Sequence, residues 1–492
     1  MQLKRSKWVS ILLSLSIVAA LAGCSKSTPE ATDAPAAATA APVATAAPDA
    51  ATPAPDTATA APVVEDITTK KIAISVYSPP LDNKEGLAAE KAKVVRFNEK
   101  YPNIKVTLDP YQYGPTTIAA KGAGGTLATV FQTYASEGKF LSDKGWAADI
   151  SGLLAKYPFG TQFNANMLNQ FKFGDKIYAI PKGGYIVGVG LNKKMLDAKG
   201  VAVPPMDWTW ADMLATAKAV ADPAKGIAGI APMGKGTESG WNWTNFLYTA
   251  GGDIESVGAD GKVTATFNSP EGVKALDFYK SLNAENVIPK NWATLGWGDA
   301  MGLFGQQRSA MVIGGLDGPA DFALNQGGLK PADVLIYPIP VMNAGDKHLG
   351  VLGGDFYVFN AKATPDELEA AFLYETFDLF KPEGISSREK DIEARKATNK
   401  FFIPSPLEYF NPDSDYGKEM KAMYDKHDNV YQYSAELMSL AVGKPEAQFN
   451  GQDFYAEAAK AVQGVFKDKN ADSKALLDSA AKALQVKLDA IK

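Results

Sequence analysis

Ile72-Ala73-Ile74-Ser75-Val76-Tyr77 alternates apolar and polar residues with the period of a half-buried strand. Ser78-Pro79-Pro80 breaks it. Leu87, Lys91, Val94, Val95 and Asn98 then fall at helical spacing up to Lys100, and Tyr101-Pro102-Asn103 ends that helix ahead of a second strand, Ile104 to Leu108. Strand, helix and strand in so short a run imply a parallel pair with a crossover helix, hence an α/β fold. In such a sheet, ligand contacts gather in the crevice beyond the carboxyl ends of the strands. Tyr77 and Asp82, just after the first strand, are therefore candidate contacts.

Upstream, Lys4, Arg5 and Lys7 precede an apolar run from Trp8 to Leu21, the length of a signal-peptide core and short for a membrane span. The run closes on Leu21-Ala22-Gly23-Cys24, which resembles the lipobox of bacterial lipoproteins, and Cys24 is the only cysteine. The expectation is a signal peptide over 1–23, lipidation at Cys24, and a chain held on the extracytoplasmic face of the cell membrane by that anchor alone. A buried free thiol is the competing reading of Cys24, and an exported chain that otherwise lacks thiols argues against it. Losing 1–23 removes three positive charges and no acids, moving the formal charge from −5 to −8. That balance argues against nucleic acid or anionic lipid as the main partner. Residues 24–66 are almost all Ala, Pro, Thr and Asp with no apolar periodicity, so they read as a disordered linker. Its reach is on the order of 35 Å as a flexible coil and up to ~120 Å if wholly polyproline-like.

At 492 residues, 46% hydrophobic and 21% charged, the chain has material for a large core. Its densest aromatic stretch is Ser239-Gly240-Trp241-Asn242-Trp243-Thr244-Asn245-Phe246-Leu247-Tyr248. Trp241 shares one side of a helix with Tyr248, and Trp243 the other with Phe246 and Leu247, so one face can pack while the other stays open. Gly251-Gly252 stops the helix. Ile254 to Val257 and Lys262 to Phe267 read as a hairpin joined through Asp260-Gly261, and Asn268 as the cap of a helix with Pro270 in its first turn.

Tyr134, Tyr185, Trp292 and Trp297 also stand at loop or helix-start positions. An aromatic face suits the C–H side of a sugar ring, while Asp, Asn and Gln exchange hydrogen bonds with hydroxyls. Trp146, Trp208, Trp210 and Trp243 fall on apolar faces and read as core. Trp297, flanked by Gly296 and Gly298, is unsuited to core packing and is a candidate contact. Asp317 follows the strand-like Met311 to Gly315, and Asp355 follows Gly353-Gly354; both are candidates, with capping as the competing reading.

Other chemistries find little support. Two histidines, His348 and His427, and no second cysteine rule out Cys/His zinc sites and cysteine nucleophiles, and no Gly-x-Ser-x-Gly elbow is present. Neither Gly122-Ala123-Gly124-Gly125-Thr126 nor Gly234-Lys235-Gly236-Thr237 has the frame of a phosphate loop. Asn411, Asp413 and Asp415 alternate as in a calcium loop, but Tyr416 stands where Gly is required and Ala422 where Glu is required. No cofactor and no metal are expected. A glycosidase built on two carboxylates is the enzyme alternative, without a local motif to support it.

Phe97-Asn98-Glu99-Lys100-Tyr101-Pro102-Asn103-Ile104-Lys105-Val106 resembles the start of the family 1 extracellular solute-binding proteins, the carbohydrate-binding components of ABC importers. Gly125-Thr126-Leu127, Tyr178-Ala179-Ile180-Pro181, Gly190-Leu191-Asn192-Lys193, Trp208 to Leu214, the aromatic stretch and Gly353-Gly354-Asp355 are similar to family patterns in the same order. The resemblance covers roughly 67–492 and thins after about Lys381. It implies a two-lobe periplasmic-binding-protein-like fold with hinge crossings and a ligand cleft between the lobes. The N-terminal lobe would be 67–182 plus 353–385 and the C-terminal lobe 186–350 plus 400–492. Crossings would lie at Lys182-Gly183-Gly184, at Leu352-Gly353-Gly354, where glycine offers backbone freedom, and within Lys381 to Phe401.

The resemblance also implies a binding protein rather than an enzyme: a monomer that captures an oligosaccharide and delivers it to an ABC permease. The family pattern puts a stacking aromatic at Trp241, Tyr185 matches the family's first residues after the hinge strand, and relatives often carry a tryptophan or another contact residue where Asp317 stands; Asp355 follows the paired glycines of the second crossing. At Tyr134 the carry-over weakens, because Ala128-Thr129 replaces the usual Pro-Asp. A peptide or polyamine is the alternative solute, which a cleft dominated by carboxylates would favour.

Overall fold

The computed structural model describes residues 66–491. The expected signal peptide, the expected lipidation at Cys24 and the expected linker through residue 65 lie outside the described residues.

The opening unit forms as expected. Strand β1 (Ile72–Ser78), helix α1 (Lys84–Lys100) and β2 (Ile104–Pro110) follow one another, with β1 and β2 parallel from Ile72 opposite Ile104 to Ser78 opposite Pro110. Alternation in β1 buries Ile72, Ile74 and Val76 on one face. Asn83 starts α1 by accepting the Gly86 amide, with Glu85 in the first turn where the helix dipole favours an acid. The remaining strands of the main sheet are β3 (Val130–Tyr134), β4 (Ala179–Asn192), β5 (Ala228–Ala231), β6 (Ser309–Gly315), β7 (Val334–Pro338), β8 (His348–Phe359) and β9 (Ala441–Pro445). Helices α2 (Gly236–Thr249), α3 (Pro270–Ala284), α4 (Trp297–Gly305), α5 (Glu383–Ala397) and α6 (Gly451–Lys467) shape the cleft and the cores around it.

The strand order is β2-β1-β3-β8-β4-β6-β5, with β7 beside β4 and β9 beside β8. Two strands serve both lobes. The end of β8, Asp355 to Phe359, pairs with β3, while its start, His348 to Leu352, pairs with β9. The start of β4 pairs with β8, while its end, from Val187, runs between β6 and β7. The two cross together, antiparallel, where Tyr185 faces Gly353 and Gly184 faces Gly354, with a register shift between Asp355 and Phe356.

Each lobe has its own core. Ile74, Val76, Phe97, Val130, Phe359, Phe372 and Tyr374 fill the first. Val189, Trp208, Trp243, Phe246, Tyr279, Phe454 and Val462 fill the second. Burying one such side chain contributes roughly 1.5–3 kcal/mol. A third apolar cluster joins Phe131, Phe171 and Phe356 to Met233, Met301 and Leu316 around the crossing.

The third crossing differs from expectation. Lys381 to Phe401 is mostly α5, a charge-rich helix that buries Ile392 in the first core. Phe402, Tyr409, Phe410, Tyr416 and Met420 join the same core, so the stretch 402–430 packs with the N-terminal lobe rather than among 400–492 in the C-terminal one. The chain reaches the second lobe after Val430, where β9 lies against β8 and α6 buries Phe454 and Val462. A helix with one narrow apolar stripe has weak periodicity, and periodicity does not say which core the stripe joins. A second difference is local. Ser269, not Asn268, caps α3 by accepting the Gly272 amide, while the Asn268 amide donates to Asp478. Pro270 then occupies the first helical position, where its missing N–H costs nothing.

Candidate ligand-binding site

A cavity of about 590 Å³ opens where β4 and β8 cross. From the first lobe it is lined by Tyr113, by Gln132 and Tyr134 at the end of β3, by Ser136, and by Asp355 of β8. From the second come Glu238 and Trp241 of α2, Trp297 of α4, Asp317 after β6, and Glu446, Gln452 and Tyr455. Tyr185 lies on the crossing itself.

Helix α2 divides its residues by period. Trp243 and Phe246 are wholly buried, and Trp243 meets Phe267 edge-on at 6.4 Å between ring centres. One turn apart on the other side, Glu238 and Trp241 turn a half-buried face to the cavity. Asn242, fully buried between the two faces, accepts the Tyr279 hydroxyl at 3.0 Å.

Tyr185 stands edge-on to Trp241, with ring centres 6.0 Å apart. Glycine makes this possible. A Cβ at Gly353 would lie 2.3 Å from the Tyr185 hydroxyl oxygen and 2.4 Å from Cζ. None of the crossing glycines Gly183, Gly184, Gly353 and Gly354 adopts a left-handed φ, and at Gly353 the missing side chain supplies close approach of strand and ring. Trp297, 39% exposed, packs edge-on against Phe322, and its amide donates to Glu238 Oε2 at 3.1 Å. Tyr134 packs edge-on against Tyr113 with centres 4.2 Å apart.

The carboxylates of the wall share one trend. Burial pushes Asp317 up to about 6, aided by the charges of Asp321 and Asp355 and opposed by its own and the Gly318 amides. Burial raises Asp355 too, with Lys182 and the Gln132 side chain pulling the other way. Glu446 is pushed up to about 7 by burial, against the Tyr455 hydroxyl that donates to it at 2.6 Å and the Ser136 backbone. Glu238 is raised by burial, against the Trp297 amide and Lys235. Across the cleft, the Gln452 side-chain amide donates to Ser136 Oγ at 2.9 Å. No cluster of three or more metal-ligating side chains occurs among the described residues, and no helix among them is long and apolar enough to cross a membrane.

Six of the residues singled out on sequence therefore converge on one cavity: Trp241, Tyr185, Trp297, Asp317, Asp355 and Tyr134. Tyr77 and Asp82 do not line it. Tyr77 packs edge-on against Tyr111 at 5.0 Å, and Asp82 sits in an exposed turn. The strand order explains this, since β3, not β1, neighbours the crossing strand β8.

The family of bacterial extracellular solute-binding proteins matches residues 82–374, more than half of the chain. The chain belongs to that family. Among solved structures, an ABC transporter solute-binding protein from Thermotoga lettingae bound with α-D-tagatose is similar at 21% identity over 85% of this chain and 99% of that one, with a TM-score of 0.68. The maltose-bound MalE3 of T. maritima is similar at 19% identity over 84% and 99%, TM-score 0.63. A substrate-binding protein from Listeria monocytogenes in complex with cycloalternan is similar at 20% identity over 85% and 99%, TM-score 0.63. At these identities the likeness is one of fold, and it is the two-lobe fold.

For this solute-binding protein, sequence reasoning passed over Glu238, Gln132, Glu446, Gln452 and Tyr455. Glu238 was within reach, one helical turn before Trp241. Gln132 shares a strand face with Tyr134. Glu446, Gln452 and Tyr455 stand far along the chain without a local motif, and only the third crossing brings them to the cleft.

Proposed function

We propose that this solute-binding protein captures a carbohydrate, an oligosaccharide by the size of the cavity, between its two lobes and delivers it to an ABC permease. One observation carries the reading: rings of Trp241, Tyr185, Trp297 and Tyr134 share a cavity with Asp317, Asp355, Glu238 and Gln132. Flat apolar faces beside hydrogen-bond acceptors are what a saccharide requires. The solved structures of the same fold include proteins bound with tagatose, maltose and cycloalternan.

In this reading the protein is a monomer anchored through Cys24. The lobes, 67–182 with 353–430 and 186–350 with 441–488, close about the β4 and β8 crossings. Contacts from both lobes coexist only around a ligand, so ligand favours the closed state by its differential affinity. A thermal-shift screen of the protein against mono- and oligosaccharides, followed by calorimetry, tests it. A stabilising, saturable sugar is expected; stabilisation by peptides or polyamines alone would replace the reading with the alternative that the wall's carboxylates favour.

A further inference from the structure

The charge balance of the cavity wall is one-sided. Glu238, Asp317, Asp355 and Glu446 line it, and no Lys, Arg or His does. The nearest opposing cations are Lys182 and Lys235, both exposed and outside the wall. Lys182 Nζ lies 3.5 Å from Gln132 Oε1 and 5.7 Å from the Tyr357 ring centre; it opposes the upward shift of Asp355 from an exposed position, where water screens it.

We propose that the occupant is a saccharide bearing a protonated amine, seated where Asp317 and Asp355 meet the ring of Tyr185, and that the cavity turns away uronic acids and sugar phosphates. The inference rests on the saccharide reading above and sharpens it.

Three observations fix the place. A Cβ at Gly315 would lie 2.9 Å from Asp317 Oδ1 and 3.2 Å from Tyr185 Cβ, so the carboxylate and the ring flank the same bare stretch of β6. Gly353, opposite Tyr185 in the sheet, stands two residues before Asp355. Glu446, Asp355 and Asp317 line the same cavity as the Tyr185 ring, and after burial their charges raise its hydroxyl. Glu446 has the Tyr455 hydroxyl and the Ser136 backbone, Glu238 the Trp297 amide and the charge of Lys235, and Asp355 the charge of Lys182 and the Gln132 side chain, whereas Asp317 has only amides of its own helix start.

Carboxylates held out of water without a cation are costly, and a ligand that brings the charge removes the cost. A neutral hydroxyl occupies one lone pair, while an ammonium donates three times and cancels charge, making shorter and stronger bonds. The faces of Tyr185 and Trp241 add cation–π attraction. An acidic sugar meets the same wall with the wrong sign.

The test is calorimetry of the full chain at neutral pH with matched series that differ at one substituent: glucose, glucosamine and glucuronate, and the corresponding galacto series, as monosaccharides and 1,4-linked oligomers, with spermidine alongside. In any series that binds, the amine is expected at least tenfold tighter than the hydroxyl compound and the acid undetected. Asp317→Asn and Asp355→Asn should each bring the amine-to-hydroxyl ratio toward one. A neutral sugar bound as tightly as its amine overturns the inference and leaves the saccharide reading standing. Silence of every saccharide, with or without spermidine binding, overturns the saccharide reading and this inference with it.

Discussion

Gly353→Ala isolates the reason for the glycine at the second crossing. The added methyl would sit 2.3, 2.4 and 2.6 Å from Oη, Cζ and Cε2 of Tyr185, inside any real contact distance, and a planar ring cannot bend away. Either the ring leaves its place beside Trp241 or the β4–β8 pair opens. Overpacking of this kind costs about 1–3 kcal/mol, and ring displacement removes one wall of the cavity, so ligand affinity should fall with stability. Because φ at Gly353 is negative, alanine itself suits the backbone. With the ring removed by Tyr185→Ala, adding Gly353→Ala should then be neutral or stabilise by about 0.4–1 kcal/mol through the unfolded chain. Denaturant titration of the wild type, both single variants and the double closes the cycle, with a coupling expected above about 1 kcal/mol. An equal cost of Gly353→Ala in both backgrounds would refute the steric account and return the glycine to a role in backbone freedom.

Trp241→Ala should weaken ligand binding at least tenfold with the far-UV circular dichroism unchanged, whereas Trp243→Ala, emptying a fully buried site, should cost about 3–5 kcal/mol in denaturant titration. Glu446 and Asp317 have folded values of about 7 and about 6, above their ordinary values of 4.5 and 3.8. The stability each contributes is thus complete at pH below the unfolded value and is lost as pH rises through the folded one. Their contribution makes melting temperature fall between about pH 4 and 7, and Glu446→Gln should flatten the upper part of that slope; a slope unchanged in the variant would exclude Glu446 as its source. Gln452→Ala removes the bond to Ser136 across the cleft, worth about 0.5–1.5 kcal/mol, and should speed ligand dissociation roughly 2- to 12-fold in stopped flow.

Much of the fold and part of the site were legible because they depend on short-range patterns. The period-2 run Ile72 to Tyr77 and the helix after it announce a parallel sheet, and the helical spacing of Trp241 against Trp243 separates an open face from a packed one. Asp317 stands out by following a strand-like run and Asp355 by following the paired glycines Gly353-Gly354. Tyr77 and Asp82 lie off the cavity for one reason: they follow the first strand, but the strand order puts β3 beside the crossing and leaves β1 one place away.

The sequence by itself determined the α/β class and an open aromatic face, because periodicity is written locally along the chain, while the two-lobe fold followed from the resemblance of its motifs to a known family. Only the tertiary structure decided that 402–430 packs with the N-terminal lobe, that Glu238, Glu446, Gln452 and Tyr455 reach the cavity, and that its wall carries four carboxylates without a cation. Those facts depend on which apolar stripe joins which core and on where the third crossing falls. Such choices are settled by packing between segments hundreds of residues apart, and no local pattern encodes them.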